Sequence, residues 1–207
     1  MTRRHVLLGL GAGLIGYALN LFPLTAWNGS FLLLGGIPVA VAALRVGTGP
    51  AMLAAVIAWL PTVPLIESPF LLVMAVAEAY VVGRGRHRTS VAQFARVSAY
   101  WLVVAGPLGW AWYHVTRDLS TTGIVVIVAK NAFNGIAAFG IGRIYAGLPP
   151  FLGRWAPSNG ARTHESLRAY LLRASAFGVT LPALITLLVV VRLVERSTEE
   201  NQARAMH

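Results

Sequence analysis

Two residues of opposite charge lie inside apolar segments of the chain. Glu78 belongs to the apolar segment 69–82, and Lys130 belongs to the segment 122–146. If both segments cross a bilayer as helices, counting from their outer ends places both charges roughly 12–15 Å deep. Charged groups at such a depth are costly, so a pair at matched depth can bind a polar or zwitterionic solute. The alternative is a buried ion pair that fixes helix packing without any ligand.

Amide and aromatic side chains extend this candidate site. Asn134 follows Lys130 by one helical turn, which places an amide and a cation on the same helix face. Asparagines in membrane helices also bond to neighbouring helices, and that use fits the sequence equally well. Trp110 and His114 have the same i, i+4 spacing. They can line the mouth of an outward-facing pocket or belong to an aromatic belt at the outer interface.

Three further residues flank the outer ends of the predicted helices. Asn20 closes the first helix, Trp27 begins the loop after it, and Glu67 caps the third. A small-molecule pocket needs an apolar wall with a few convergent polar groups, and these residues supply such groups. The full candidate ligand-binding set is Asn20, Trp27, Glu67, Glu78, Trp110, His114, Lys130 and Asn134.

No catalytic, metal or cofactor site is predicted. The chain has no cysteine, and His5, His87 and His164 fall on the side opposite His114, so this single histidine within a span has no obvious partner as a metal or haem ligand. The glycines between Gly9 and Gly13 sit in an apolar helix and follow no strand, which favours helix contact over a nucleotide loop. No Walker lysine, His-Glu-x-x-His or Gly-x-Ser-x-Gly string occurs. We therefore expect a protein that is not an enzyme.

The composition of the chain indicates which kind of fold holds these residues in position. Hydrophobic residues make up 57% of the 207-residue chain and charged residues 12%, against about 25% charged in a soluble domain. This excludes a soluble enzyme and a disordered tail. An all-α fold is predicted, namely a polytopic transmembrane bundle of about seven spans occupying residues 1–194, followed by a polar helical tail at 195–207. The predicted spans are 6–24, 31–44, 51–65, 69–82, 97–114, 122–146 and 174–194.

Three of the predicted spans are short. The segments 31–44, 51–65 and 69–82 reach only ~21–23 Å as helices, whereas a hydrocarbon core is ~30 Å thick. They can extend into the loops or be half-spans shielded by neighbours. The pair on either side of Arg45 can also be a re-entrant hairpin.

The net charge of +10 is explained by membrane topology. Alternate loops place twelve of the seventeen basic residues on the side of the N-terminus and four on the other side. The positive-inside rule therefore predicts a cytoplasmic N-terminus and a multi-pass protein of the bacterial inner membrane. Nucleic acid is not an expected partner. The lipid bilayer is one, and the arginine run 84–88 is expected to touch anionic lipid.

Five strings in the chain carry a resemblance: Gly36-Ile37-Pro38-Val39 continuing through Arg45 to Ala58, Glu78 within 75–83, Ala105-Gly106-Pro107 through His114, 130–135, and Ser166-Leu167-Arg168. They resemble the N-terminal multi-span sensor regions of bacterial sensory histidine kinases and diguanylate cyclases. The first hairpin is also similar to LytS-type sensor domains and to the substrate-binding subunits of energy-coupling-factor vitamin transporters. The resemblance covers most of residues 15–195, and its motifs consist largely of common apolar residues. The chain departs from those proteins because it has no Gly-Gly-Asp/Glu-Glu-Phe string and no nucleotide-binding region.

The resemblance implies a membrane-embedded sensory input module that binds a small molecule or lipid in a pocket open to the outer side. The alternative function is the substrate-binding subunit of a vitamin-like uptake transporter, and a third is a scaffold in an envelope complex. Signalling or transport subunits are the expected partners, and a homodimer is left open.

Overall fold

The computed structural model describes residues 2–22, 24–25, 31–66, 69–117 and 119–147. The predicted span 174–194 and the tail 195–207 lie outside the described residues, as do Trp27 and Glu67. The described part is helical apart from one antiparallel pair of two-residue strands.

The helices follow the predicted apolar segments with changed boundaries. A π-helical segment at Tyr100–Ala105 joins α6 to α7, so residues 90–116 form one continuous helical run. The elements are α1 Arg3–Leu21, β1 Leu24–Thr25, β2 Phe31–Leu32, α2 Gly36–Arg45, α3 Thr48–Trp59, α4 Thr62–Ile66, α5 Pro69–Arg84, α6 Ser90–Ala99, α7 Gly106–Thr116 and α8 Thr121–Gly147.

Small residues let the helices approach closely. Positions on α1 meet α3 in parallel order, because Gly9 contacts Pro50 near the start of α3 and Gly16 contacts Ala58 near its end. In the same way Gly36 of α2 contacts Ala138 of α8, and Gly142 contacts Ala40. Close backbone approach of this kind is the usual way in which apolar helices associate without a hydrophobic driving force. Several alanines at these contacts have no exposed surface: Ala43, Ala51, Ala54, Ala55 and Ala58.

Arginine side chains tie the loops together at one end of the bundle. Arg45 Nη2 donates to the Ala146 carbonyl at 3.1 Å, and Arg86 Nη1 donates to the Val46 carbonyl at 2.9 Å. These bonds satisfy carbonyls at the ends of α8 and α2, where helices lack internal partners and attract cations. The loops that the sequence assigns to one side of the bundle therefore do meet at one end, which we call the basic end.

One predicted segment is wrong in its first part. Phe31–Leu32 pairs with Leu24–Thr25 instead of opening a helix, and helix α2 begins only at Gly36. The predicted segment 51–65 is divided between α3 and α4, next to Pro61, which has no N–H to donate to the preceding turn.

Two described helical stretches are long and apolar enough to cross a membrane. They are Thr48–Leu65, of 18 residues, and Thr121–Gly147, of 27 residues. Helix α2 is apolar but has only 10 residues. The described residues therefore do not support the predicted count of seven spans.

Candidate functional site

Glu78 lies midway along α5 and is half-buried in a narrow cleft. It is the only carboxylate among the described residues. The cleft measures about 10 Å³, enough for about one water molecule, and far smaller than the several hundred Å³ of a typical ligand pocket. Helices α2, α3 and α5 form its walls, which are otherwise apolar. The residues lining the cleft are Gly36, Val39, Ala40, Trp59, Ala75, Glu78, Ala79 and Val82.

The indole of Trp101 lies beside the Glu78 carboxylate. Trp101 is only 6% exposed, and its Nε1–H makes no hydrogen bond of normal distance and angle. A buried donor that lies beside a carboxylate in poor hydrogen-bond geometry is satisfied only in part. The indole also rests directly on Gly135 of α8, where a Cβ atom would overlap its ring. Trp101 therefore connects the Glu78 cleft to helix α8.

Trp101 belongs to the π-helical segment, in which the Gly106 N–H donates to the Trp101 carbonyl five residues earlier. Its neighbour Tyr100 donates from its hydroxyl to the Met74 carbonyl at 2.8 Å, one turn before Glu78 on α5. The Tyr100 and Trp101 rings meet edge to face with centroids 5.7 Å apart. Single π-helical turns inside α-helices occur frequently at functional sites. The site thus combines an acceptor carboxylate, an unpaired donor and an irregular helical turn.

Lys130 is half-buried on α8, and no ion pair joins it to Glu78. Gly36, which lines the Glu78 cleft, contacts Ala138 on α8. Lys130 precedes Ala138 by eight residues, which is about 12 Å along a helix axis. Lys130 therefore lies about two helical turns from the level at which α8 meets Gly36, and the ion pair with Glu78 that the sequence allowed is not formed.

The two asparagines of the candidate set bond to the protein backbone. Asn20 is fully buried; its Nδ2 donates to the Ala58 carbonyl at 2.8 Å, and its Oδ1 accepts from the Gly35 N–H at 2.8 Å. Asn134 donates from Nδ2 to the Leu33 carbonyl at 3.0 Å. The sequence allowed Asn134 either to contact a ligand or to bond to a neighbouring segment, and in the structure it bonds to a neighbouring segment.

Trp110 and His114 stack on each other with ring centroids 5.0 Å apart, as their spacing predicts. Both side chains are exposed on α7 and do not line the Glu78 cleft. The candidate residues Trp27 and Glu67 lie outside the described residues, so the outer mouth of the predicted pocket is not described there.

Sequence reasoning missed Trp101 and Tyr100. Both sit in an apolar run, where an aromatic residue is unremarkable, and no local signal marks the π-helical turn.

The described residues contain no group of three or more metal-ligating side chains. No protein-family model, no curated protein and no solved structure matches this chain.

Proposed function

We propose that this chain is a multi-pass protein of the bacterial inner membrane with its N-terminus and basic end in the cytoplasm. Two helices of sufficient length and apolarity support this proposal. So does the distribution of side chains, because large apolar residues such as Val103 and Val115 are 71% and 82% exposed while alanines fill the interior. A protein in water tends to bury its large apolar side chains. A surface of this kind suits lipid.

Site-directed labelling tests this topology. Because the chain has no cysteine, only the introduced cysteine can react with the label. We expect a membrane-impermeant maleimide added to intact spheroplasts to label Leu119→Cys, at the end opposite the basic end. Arg88→Cys, at the basic end, should react only after the membrane is permeabilised. The unmodified chain serves as the blank. Labelling of Arg88→Cys from outside would refute the orientation, and equal labelling of both would refute the membrane location.

Within that membrane protein, we propose a sensory input function centred on Glu78 and Trp101. The observation that carries it is the buried Trp101 indole, whose N–H lies beside Glu78, the sole described carboxylate, without a hydrogen bond of normal distance and angle. A cleft that now admits about one water molecule would have to open for a ligand, whose donor group would face Glu78 and whose acceptor group would pair with the Trp101 N–H. Because Trp101 rests on Gly135, its displacement would move α8. Signalling then requires two packing states that the ligand distinguishes.

Neutralising Glu78 should reproduce part of that movement. We expect Glu78→Gln to change the distance between spin labels at Leu102→Cys and Ile144→Cys by about 1–2 Å, the size of known helix shifts. Both label sites are exposed, on the π-helical segment and on α8. Pulsed electron spin resonance measures the distance in lipid nanodiscs. His114→Gln, exposed and away from the cleft, should leave it unchanged. An identical distance distribution for Glu78→Gln and the parent would contradict the coupling.

The rival function is a solute-binding uptake subunit, and the resemblance noted above covers both. Measuring solute accumulation in proteoliposomes separates the two. Sustained accumulation would reject the sensory function, whereas spin-label movement without accumulation favours it.

A further inference from the structure

One exposed face of α5 runs from apolar to aromatic to cationic. Val73 and Tyr80 are both exposed, and the Arg84 guanidinium lies over the Tyr80 ring at 5.4 Å from its centroid. Spacings of seven and four residues keep all three on one helix face. Apolar residues facing acyl chains, a tyrosine at the interface and an arginine reaching the headgroups are the usual order at a membrane surface.

Arginines gather where this face ends. Arg84 and Arg88 are exposed on either side of the turn after α5, and Arg96 of α6 reaches back toward Gly85. The only described carboxylate, Glu78, lies six residues earlier in the cleft, about 9 Å along the helix. No carboxylate of the described ranges therefore stands at this end to balance the arginines.

We propose that this end of α5 binds an anionic phospholipid, with its phosphate between Arg84 and Arg88 and an acyl chain along Val73 and Tyr80. Guanidinium groups match phosphate oxygens in geometry and charge. Free phosphate would satisfy the arginines alone, whereas a lipid also covers the exposed apolar face. The inference rests on the proposed membrane location, and it adds a specific lipid site to it.

Native mass spectrometry of the purified full chain in a neutral detergent tests the site with phosphatidylglycerol and phosphatidylcholine as probes. We expect phosphatidylglycerol to bind preferentially, and the double variant Arg84→Gln, Arg88→Gln to bind it about tenfold or more weakly. Raising the salt concentration should weaken binding by the parent chain. Arg117→Gln, which removes an arginine near the opposite end, should bind like the parent chain.

A second variant guards against loss of folding as the cause. Arg84→Lys, Arg88→Lys keeps both charges and should retain most of the preference. Equal binding of the two lipids, or full binding by the double glutamine variant, would overturn the proposal. Glycerol phosphate competing as well as the lipid would identify a free-phosphate site and also overturn it. Cysteine labelling that still reports the proposed topology would then show that only the lipid site had failed.

Discussion

Replacing Asn20 with alanine should lower the free energy of unfolding by about 2–4 kcal/mol. The change removes the donor to the Ala58 carbonyl and the acceptor for the Gly35 N–H. Both backbone groups then lie buried without a partner, and each such group costs about 1–3 kcal/mol. Unfolding of the reconstituted protein by titration with dodecyl sulfate measures the loss.

Asn134→Ala is the matched control for this prediction. Asn134 makes a single, partly buried bond to the Leu33 carbonyl, so its loss should cost less than about 1 kcal/mol. If Asn20→Ala proved no more costly than Asn134→Ala, the assigned role of Asn20 in joining α1, α2 and α3 would be wrong.

Gly135→Ala should destabilise the protein by about 1–3 kcal/mol, because the new methyl group overlaps the Trp101 indole. Glycine normally costs about 1 kcal/mol relative to alanine inside a helix. The substitution would therefore stabilise α8 if the space beside it were open. The same dodecyl sulfate titration measures whether Gly135→Ala lowers or raises the free energy of unfolding.

Gly11→Ala in α1 is the control for Gly135→Ala, and we do not expect it to destabilise the protein. No atom lies within 4 Å of a Cβ at this position, so this variant should be neutral or slightly stabilised. Adding Trp101→Ala to Gly135→Ala should abolish most of the glycine effect, since the clash partner is gone. Additive losses in the double variant would show that the overlap with Trp101 is not the cause.

Local spacing predicted the features that depend only on one helix. Trp110 and His114 stack because residues four apart always share a helix face. The boundaries of α8, predicted as 122–146 and observed as Thr121–Gly147, follow from an uninterrupted apolar run. Helix α6 begins at Ser90, whereas the predicted span began at residue 97. The earlier start was missed because the first turns of α6 are amphipathic and not apolar all round. Thr89, whose hydroxyl accepts from the Ala92 N–H, was the available signal.

The candidate site depended on features that one sequence does not specify. Whether Glu78 meets Lys130 is decided by the rotation and axial offset of two helices distant in the chain. That offset depends on contacts with a third helix, such as the contact of Gly36 on α2 with Ala138 on α8. The pairing of Phe31–Leu32 with Leu24–Thr25 is likewise non-local and replaced a predicted helical turn. The unpaired Trp101 N–H could not be predicted, because a tryptophan in an apolar run gives no indication of its partner.

The wide turn at Tyr100–Ala105 also restricts how the chain can change in length. A π-helical turn holds about one residue more than the α-helical turn it replaces, so deleting one residue there would close the run as a regular helix with residues 106–116 near their present rotation. Deleting one residue from the regular helix between this turn and Gly109 would instead rotate the residues beyond it by roughly 100° about their axis. Gly109 would then swing away from the Phe70 ring that it now touches. A single-residue deletion is therefore expected to be tolerated within Tyr100–Ala105 and selected against in the regular helix that follows it.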